Sequence, residues 1–241
     1  MPKNENDIWQ LFDSIKEKHG RDAFGQGYLF RIVPDEFIVN TNNLTAEEKS
    51  SGIVKNGASF VPYDKGDKDG NRWYLPTPYY IDWSAENVSS LKNDPRARFQ
   101  GYTFYFREGF CWNNNLNENY LSIKCRLKSN GVHDVASMSM FSLCESVPEF
   151  YIVSLINSKM LGLIYRNFIN NTVNVQINDI RVFPIPVPNP EQIAYCKQLF
   201  DESVLIQHRF FADVIEQQVR DQKLNELQIK VDKFVLGLFN L

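Results

Sequence analysis

The stretch Phe60-Val61-Pro62-Tyr63-Asp64-Lys65-Gly66-Asp67-Lys68-Asp69-Gly70-Asn71-Arg72-Trp73-Tyr74-Leu75-Pro76-Thr77-Pro78-Tyr79-Tyr80-Ile81-Asp82-Trp83 decides how this chain is read. Its aromatic and apolar residues come in short runs: Ser59 to Tyr63, Arg72 to Leu75, and Tyr79 to Trp83. Each run is too short for a helix and has strand composition. The polar, twice-glycine stretch from Asp64 to Gly70 predicts a hairpin-type loop between the first two. The pattern continues outward. Tyr28 to Val33, stopped by Pro34, and Glu36 to Val39 read as strands before it. Thr103 to Arg107, Tyr120 to Leu127 and Asp134 to Met140 read as strands after it.

Helical spacing frames this strand-rich middle. Ile8, Leu11, Phe12 and Ile15 predict a short amphipathic helix over Asp7 to His19, and Thr45-Ala46-Glu47-Glu48 has the composition of a helix start. Glu149 to Asn167 is helical by periodicity, and Val173 to Ile177 looks like a further strand. The prolines at 184, 186, 188 and 190 forbid a helix across the stretch that they punctuate. From Glu191 onward two apolar stripes predict two helices, one through Ile193, Cys196, Phe200 and Val204, the other through Leu224, Leu227, Val231 and Val235. The expectation is an α/β (α+β) fold. A mixed-sheet domain would occupy residues 1–187, and a helical hairpin or spacer residues 188–241.

Composition narrows the class. Four cysteines, Cys111, Cys125, Cys144 and Cys196, lack the short spacing of a zinc site or a disulfide framework. That absence, and the polar start Met1-Pro2-Lys3-Asn4-Glu5, predict a cytoplasmic protein. The apolar segment Phe150 to Phe168 is interrupted by Asn157, Lys159 and Arg166, so it reads as a buried helix and not a membrane span. The net charge of −3 is unevenly spread: residues 51–130 carry +3 between flanks of −3 each. A nucleic-acid footprint needs a basic face, not a basic protein.

Catalytic machinery is hard to find. Phe24-Gly25-Gln26-Gly27 precedes a strand, where a cofactor-binding glycine turn follows one. No Asn/Asp-Pro-Pro-Tyr is present, and Pro34-Asp35 is not followed by the Glu-x-Lys of a metal-dependent nuclease. His19, His133 and His208 are scattered, and no serine or cysteine has a nucleophile setting. What the middle does hold is basic and amide residues. Lys65, Lys68 and Arg72 lie in or beside the glycine loop, and Arg96, Arg98 and Arg107 flank the next strand. Asn113, Asn114 and Asn115 follow Trp112, while Lys124, Arg126, Lys128 and Asn130 alternate along an edge. Arginine and lysine hold phosphates and read guanine, and asparagine reads adenine, because their donors and acceptors match those groups. These are the candidate DNA contacts, with no catalytic, cofactor or metal residue among them. A surface lysine is more often simply solvated. Trp73, Trp83 and Trp112 fit a core better than a base-stacking platform.

The ordered motifs add a resemblance. Phe60 to Gly66, Arg72-Trp73-Tyr74 and Tyr79-Tyr80-Ile81-Asp82-Trp83 are followed by Arg107-Glu108-Gly109-Phe110-Cys111-Trp112, Leu155-Ile156-Asn157-Ser158-Lys159, Asn174 to Ile180 with Pro184-Ile185-Pro186, and the run Leu227 to Phe239. In this succession, over roughly residues 55–241, the chain resembles the target-recognition domain of Type IIG restriction–modification enzymes and adenine-specific DNA methyltransferases. Type I specificity subunits are related to these. The resemblance implies an α/β module docking on double-stranded DNA, followed by spacer or docking helices. It implies a methyltransferase or nuclease elsewhere, in another domain or subunit. S-adenosylmethionine and Mg would belong to those parts, and no cofactor to this chain. Gly237 departs from the pattern, which has a charged residue followed by Leu-Tyr there. The alternative reading is a protein–protein adaptor whose aromatic segment is only core. A complete nuclease is a third.

Overall fold

A computed structural model of the chain describes residues 29–241, apart from 31, 55–56, 68–69, 78, 95–98, 100, 115–121, 134–136 and 173. The helix expected over Asp7 to His19 lies outside the described residues; of the strand expected from Tyr28 to Val33, Leu29–Phe30 is a strand, and Tyr28 and Arg31 lie outside the described residues. In chain order the elements are β1 (Leu29–Phe30), α1 (Ala46–Ser51), β2 (Phe60–Asp64), β3 (Tyr79–Asp82), α2 (Ala85–Asn93), β4 (Phe110–Asn113), β5 (Cys125–Leu127), β6 (Val132–His133) and β7 (Ser137–Met140). They continue with α3 (Glu149–Ile156), α4 (Lys159–Ile164) running into a π turn (Tyr165–Ile169), α5 (Ile177–Arg181), α6 (Pro190–Phe211) and α7 (Gln217–Leu238). The mixed α/β class expected from the sequence is what the structure shows.

The chain divides into two compact units, neither continuous in sequence. The division does not fall at residue 187. The first unit takes residues up to Lys65, then Thr77–Arg107 and Ser129–Val135; the second takes Gly66–Pro76, Glu108–Lys128 and Ala136–Leu241.

The first unit is built on a four-stranded sheet in the order β1-β3-β2-β6. β2 and β3 run antiparallel, with Phe60 opposite Asp82 and Tyr63 opposite Tyr79, while β6 adds in parallel beside β2. Trp83 is fully buried among Phe99, Tyr105 and Phe106, and its indole N–H donates to the Glu48 carbonyl (3.0 Å). An aromatic cluster of this kind gathers much apolar area on few residues, and the buried N–H is satisfied. The helix start at Thr45 is a capping box: the Thr45 hydroxyl accepts from Glu48 N–H (3.1 Å), and the Glu48 carboxylate accepts from Thr45 N–H (2.9 Å).

The second unit packs α3–α7 against a three-stranded antiparallel sheet, β5-β4-β7. Its core gathers Trp73, Phe110, Trp112 and Cys125 from the strand region with Tyr151, Leu155, Leu161, Phe200, Leu227, Val231 and Val235 from the helices. The two long terminal helices appear as expected. Asn189 caps α6 by accepting from Gln192 N–H (2.8 Å), with Pro190 in the first turn, where its missing N–H is harmless.

Several expected strands are absent, for local reasons. Glu36 to Val39 is a 3₁₀ turn (Asp35–Phe37) leading to one bridge, Ile38 to Phe60. Thr103 to Arg107 begins as a 3₁₀ turn after left-handed Gly101 (φ 71°), and Phe106 also has positive φ. Arg72 to Leu75 does not form a hairpin with β2; β2 pairs with β3 instead. Trp73 sits at φ 71°, which no strand residue adopts, and makes a single bridge to Arg126. Only Cys125–Leu127 of the Tyr120 to Leu127 run is a described strand. The single helix expected from Glu149 to Asn167 is two. Asn157 ends α3, and the Ser158 hydroxyl caps α4 by accepting from Leu161 N–H (3.3 Å). The strand expected up to Ile177 gives way to α5, whose Asp179 carboxylate accepts from Gln176 N–H (2.8 Å).

Candidate nucleic-acid interface

The second unit holds an open groove of about 780 Å³. One wall is the turn Gly70-Asn71-Arg72-Trp73 together with Lys124; the other is the end of α6 and the first turns of α7. The turn is held from below. The Asp67 carboxylate accepts from the Asn71 backbone N–H and from its side chain (3.1 Å), and Asn113 Nδ2 donates to the Asp67 carbonyl (2.8 Å). Trp73 N–H donates to the Cys125 carbonyl (3.0 Å), fastening the turn to β5. Gly70 has φ 61°, and a Cβ there would lie 2.7 Å from Lys124 Cδ. The absent side chain therefore lets the lysine stem lie across the turn.

Two amides from the helices fix Arg72. Gln228 Oε1 accepts from Arg72 Nη1 (2.9 Å), and Gln207 Nε2 donates to the Arg72 carbonyl (2.9 Å). Gln228 is itself anchored, donating to the Asn157 carbonyl (3.1 Å) and to Asp232 (2.9 Å). Asn157 closes the network by pairing with both backbone groups of Cys125, at 2.9 and 2.8 Å. The Arg72 turn is thus tied to α7, to the α3–α4 junction and to β5 by hydrogen bonds. Preorganisation of this kind lowers the entropy that a binding group loses on contact.

The sequence-selected residues separate. Arg72 and Lys124 line this groove. Asn113 supports it from beneath through Asp67, while the Asn114 carbonyl accepts from Val175 N–H (2.9 Å). Lys65 and Arg107 belong to the first unit: Lys65 Nζ lies 5.6 Å from the Tyr79 ring centre, and the exposed Arg107 guanidinium lies 5.4 Å from that of Phe104. Lys68, Arg96, Arg98 and Asn115 fall outside the described residues. Arg126 is 4% exposed and donates to the Leu127 carbonyl (3.3 Å), and Lys128 is buried too, its ammonium 5.5 Å from the Phe141 ring centre. The alternating basic edge is therefore no open row of cations: period-2 alternation places side chains on one face without saying that the face meets solvent.

The helix-borne residues of the groove escaped selection. A trace of two of them was there. Gln207 and Gln228 fall on the apolar stripes of α6 and α7, beside Val204 and Phe211 and beside Leu224 and Val231, and a polar side chain on such a stripe signals a buried hydrogen-bonding task. Arg220, Gln217 and Asn225 carried no such mark.

Other chemistry is sparse. The Cys125 thiol is held well above the ordinary thiol range, chiefly by burial and then by neighbouring Cys111, and burial pushes Cys196 up to about 11. Such thiols are poor nucleophiles at neutral pH. Among the described residues no group of three His, Cys, Asp or Glu side chains could hold a metal ion, and no helix is long and apolar enough to cross a membrane.

No protein-family model matches the chain, and no curated protein matches its sequence. Its fold does have a solved counterpart. The chain is similar to the Type IIL restriction–modification enzyme MmeI, whose structure was solved in complex with DNA, at 14% identity and a TM-score of 0.51, over 76% of this chain. The match spans 28% of the MmeI chain, so this protein shares the fold of a part of that restriction–modification enzyme.

Proposed function

We propose that the chain is a sequence-specific DNA-recognition module of a restriction–modification methyltransferase, directing N6-adenine methylation or cleavage performed by another domain or subunit. The observation that carries this reading is the groove: Arg72 and Lys124, selected from the sequence alone, line one open cleft together with Asn71. Their donors suit phosphate oxygens and base edges. The likeness to part of MmeI, a restriction–modification enzyme solved on DNA, points the same way. So does the ordered run of motifs from Phe60 to Phe239. Under this reading Lys65, Arg96, Arg98 and Arg107, in the first unit, and Lys68, in the second, add phosphate contacts. S-adenosylmethionine and Mg act in the catalytic parts, and the location is the cytoplasm.

Binding of the whole chain to duplex DNA, measured across a salt series, tests the proposal. Affinity should fall with salt by about 0.9 log units per log unit of salt for each phosphate neutralised. Arg72→Ala should weaken specific binding by about 1–3 kcal/mol. Duplex affinity that is absent at low salt, or indifferent to both Arg72→Ala and Lys124→Ala, would favour an adaptor without DNA contact.

A further inference from the structure

We infer that the α6–α7 hairpin itself grips the DNA backbone, through Gln217, Arg220 and Asn225 on the wall of the groove opposite Arg72. This rests on the DNA-recognition reading and extends it, because the hairpin otherwise serves only as a spacer or docking element.

Three observations converge on a phosphodiester as the occupant. The first is charge: among the described residues the groove is lined by three cations, Arg72, Lys124 and Arg220, against one carboxylate, Asp221. Asp221 accepts from Arg220 Nε (2.8 Å) and lies 2.7 Å from its Nη2, and the guanidinium also lies 4.0 Å from the Phe210 ring centre. Arg220 is thereby held in one orientation at the groove wall, as a preorganised anion ligand should be.

The second observation is the start of α7. Gln217 is its first residue, and Glu216 at the cap makes no side-chain hydrogen bond to the first turn. The opening N–H groups of this 22-residue helix therefore make no hydrogen bond to their cap side chain, at the same end as the groove. Helix N-termini favour phosphate oxygens for this reason. The side-chain amides of Gln217 and Asn225 make no hydrogen bond among the described residues, and both are exposed.

The third is Gln207. It lines the groove, is 3% exposed, and its Oε1 has no hydrogen-bond partner among the described residues, although its Nε2 holds the Arg72 carbonyl. A buried amide oxygen left without a donor is costly. A bridging water carried in with a bound phosphate would satisfy it, and ordered waters are common at protein–DNA contacts.

The mechanism gives the hairpin two roles on one strand of DNA. Gln228 and Gln207 set the Arg72 turn, while Gln217, Arg220 and Asn225 close on the phosphate from the other side. The angle between hairpin and turn then enters the affinity directly.

The test uses the full chain and a random-sequence duplex labelled for fluorescence anisotropy. Gln217→Glu and Asn225→Asp preserve side-chain shape and place negative charge on the proposed wall, and an acid in the first turn of a helix does not weaken it. Gln218→Glu, exposed and outside the groove, carries the same charge change as each single variant. At about 100 mM salt each single variant should bind DNA at least about threefold more weakly than the control, and Arg220→Ala should lower the salt slope by about 0.9. Groove variants that bind like Gln218→Glu, while the unmodified chain binds normally, overturn this inference and leave the recognition reading standing. An unmodified chain without salt-sensitive DNA affinity overturns both.

Discussion

Trp73 and Trp83 stand ten residues apart in one aromatic stretch, yet they enter different cores. Trp83, next after β3, is enclosed by aromatic rings of the first unit and hydrogen-bonds the Glu48 carbonyl within α1. Trp73 sits at φ 71°, 3% exposed, with its ring 6.0 Å from that of Phe200 on α6. One core is strand-built and aromatic; the other is mostly helical, with its sheet reduced to three short strands. The difference shows how the candidate interface arises. A segment that lends one tryptophan to the helical core must bring Gly70 to Arg72 along with it, beside the hairpin.

The sharpest test of two separate cores is the pair of tryptophans. Trp83→Ala should cost about 3–5 kcal/mol, as large aromatic truncations in cores do. Hydrogen exchange should then show protection lost in β2, β3 and α1 but kept in α6 and α7, with the reverse for Trp73→Ala. Joint loss in both variants would mean one cooperative core.

Asn157→Ala comes next. It would leave the buried Cys125 N–H without its acceptor and the Cys125 carbonyl with the Trp73 N–H but without the Asn157 amide. A loss of about 1–3 kcal/mol, read from urea unfolding, is expected. If the comparison between units holds, exchange in the first unit stays unchanged.

Gly237→Ala should act in the opposite direction. A Cβ at Gly237 would meet nothing within 4 Å, and the glycine lies inside α7. Replacing it should stabilise the second unit by about 0.5–1 kcal/mol, visible as a raised urea midpoint. A destabilising result would mean that the unoccupied space matters to how the helix end packs. This position departs from the recognition-domain pattern, and nothing in the packing requires its glycine.

A further effect concerns alkaline pH. Burial raises the Cys196 thiol from 9.0 to about 11 and the Tyr151 and Tyr165 phenols from 10.0 to about 12. All three belong to the second unit. The unfolded chain loses these protons first, so stability is full below the lower value of each group and declines as pH rises through the upper one. Urea midpoints should fall between pH 9 and 11, and Cys196→Ala should flatten the first part of that fall. A midpoint rising over this range would contradict the burial of these groups.

How much was legible follows from range. The strand character of Phe60 to Tyr63 and Tyr79 to Asp82, the capped start at Thr45 and the helices after Pro190 all rest on neighbours within a few residues. The Asn157-Ser158 break also had a local cause, a capping serine, which the apolar periodicity around it masked. Arg72 and Lys124 were selected for chemistry alone, and the structure places them in one groove. Arg126 was selected on the same ground and is buried. Nothing in an alternating Lys-x-Arg-x-Lys run separates those outcomes, because exposure depends on what packs against the strand.

The amino-acid sequence by itself determined the mixed α/β class, the caps, the proline-broken connection before α6 and the apolar stripes of the two long helices. These are set by side-chain and backbone preferences acting within one or two turns. Only the tertiary structure decided that β2 pairs with β3 and not with the Arg72 run, that Trp73 and Trp83 part company, and that Gly70, Lys124, Gln207 and Gln228 meet. Contacts across such separations carry a loop-closure entropy that local preference does not offset. Burial of the whole helical core against the turn and strands compensates it, and that burial is a property of the assembled fold.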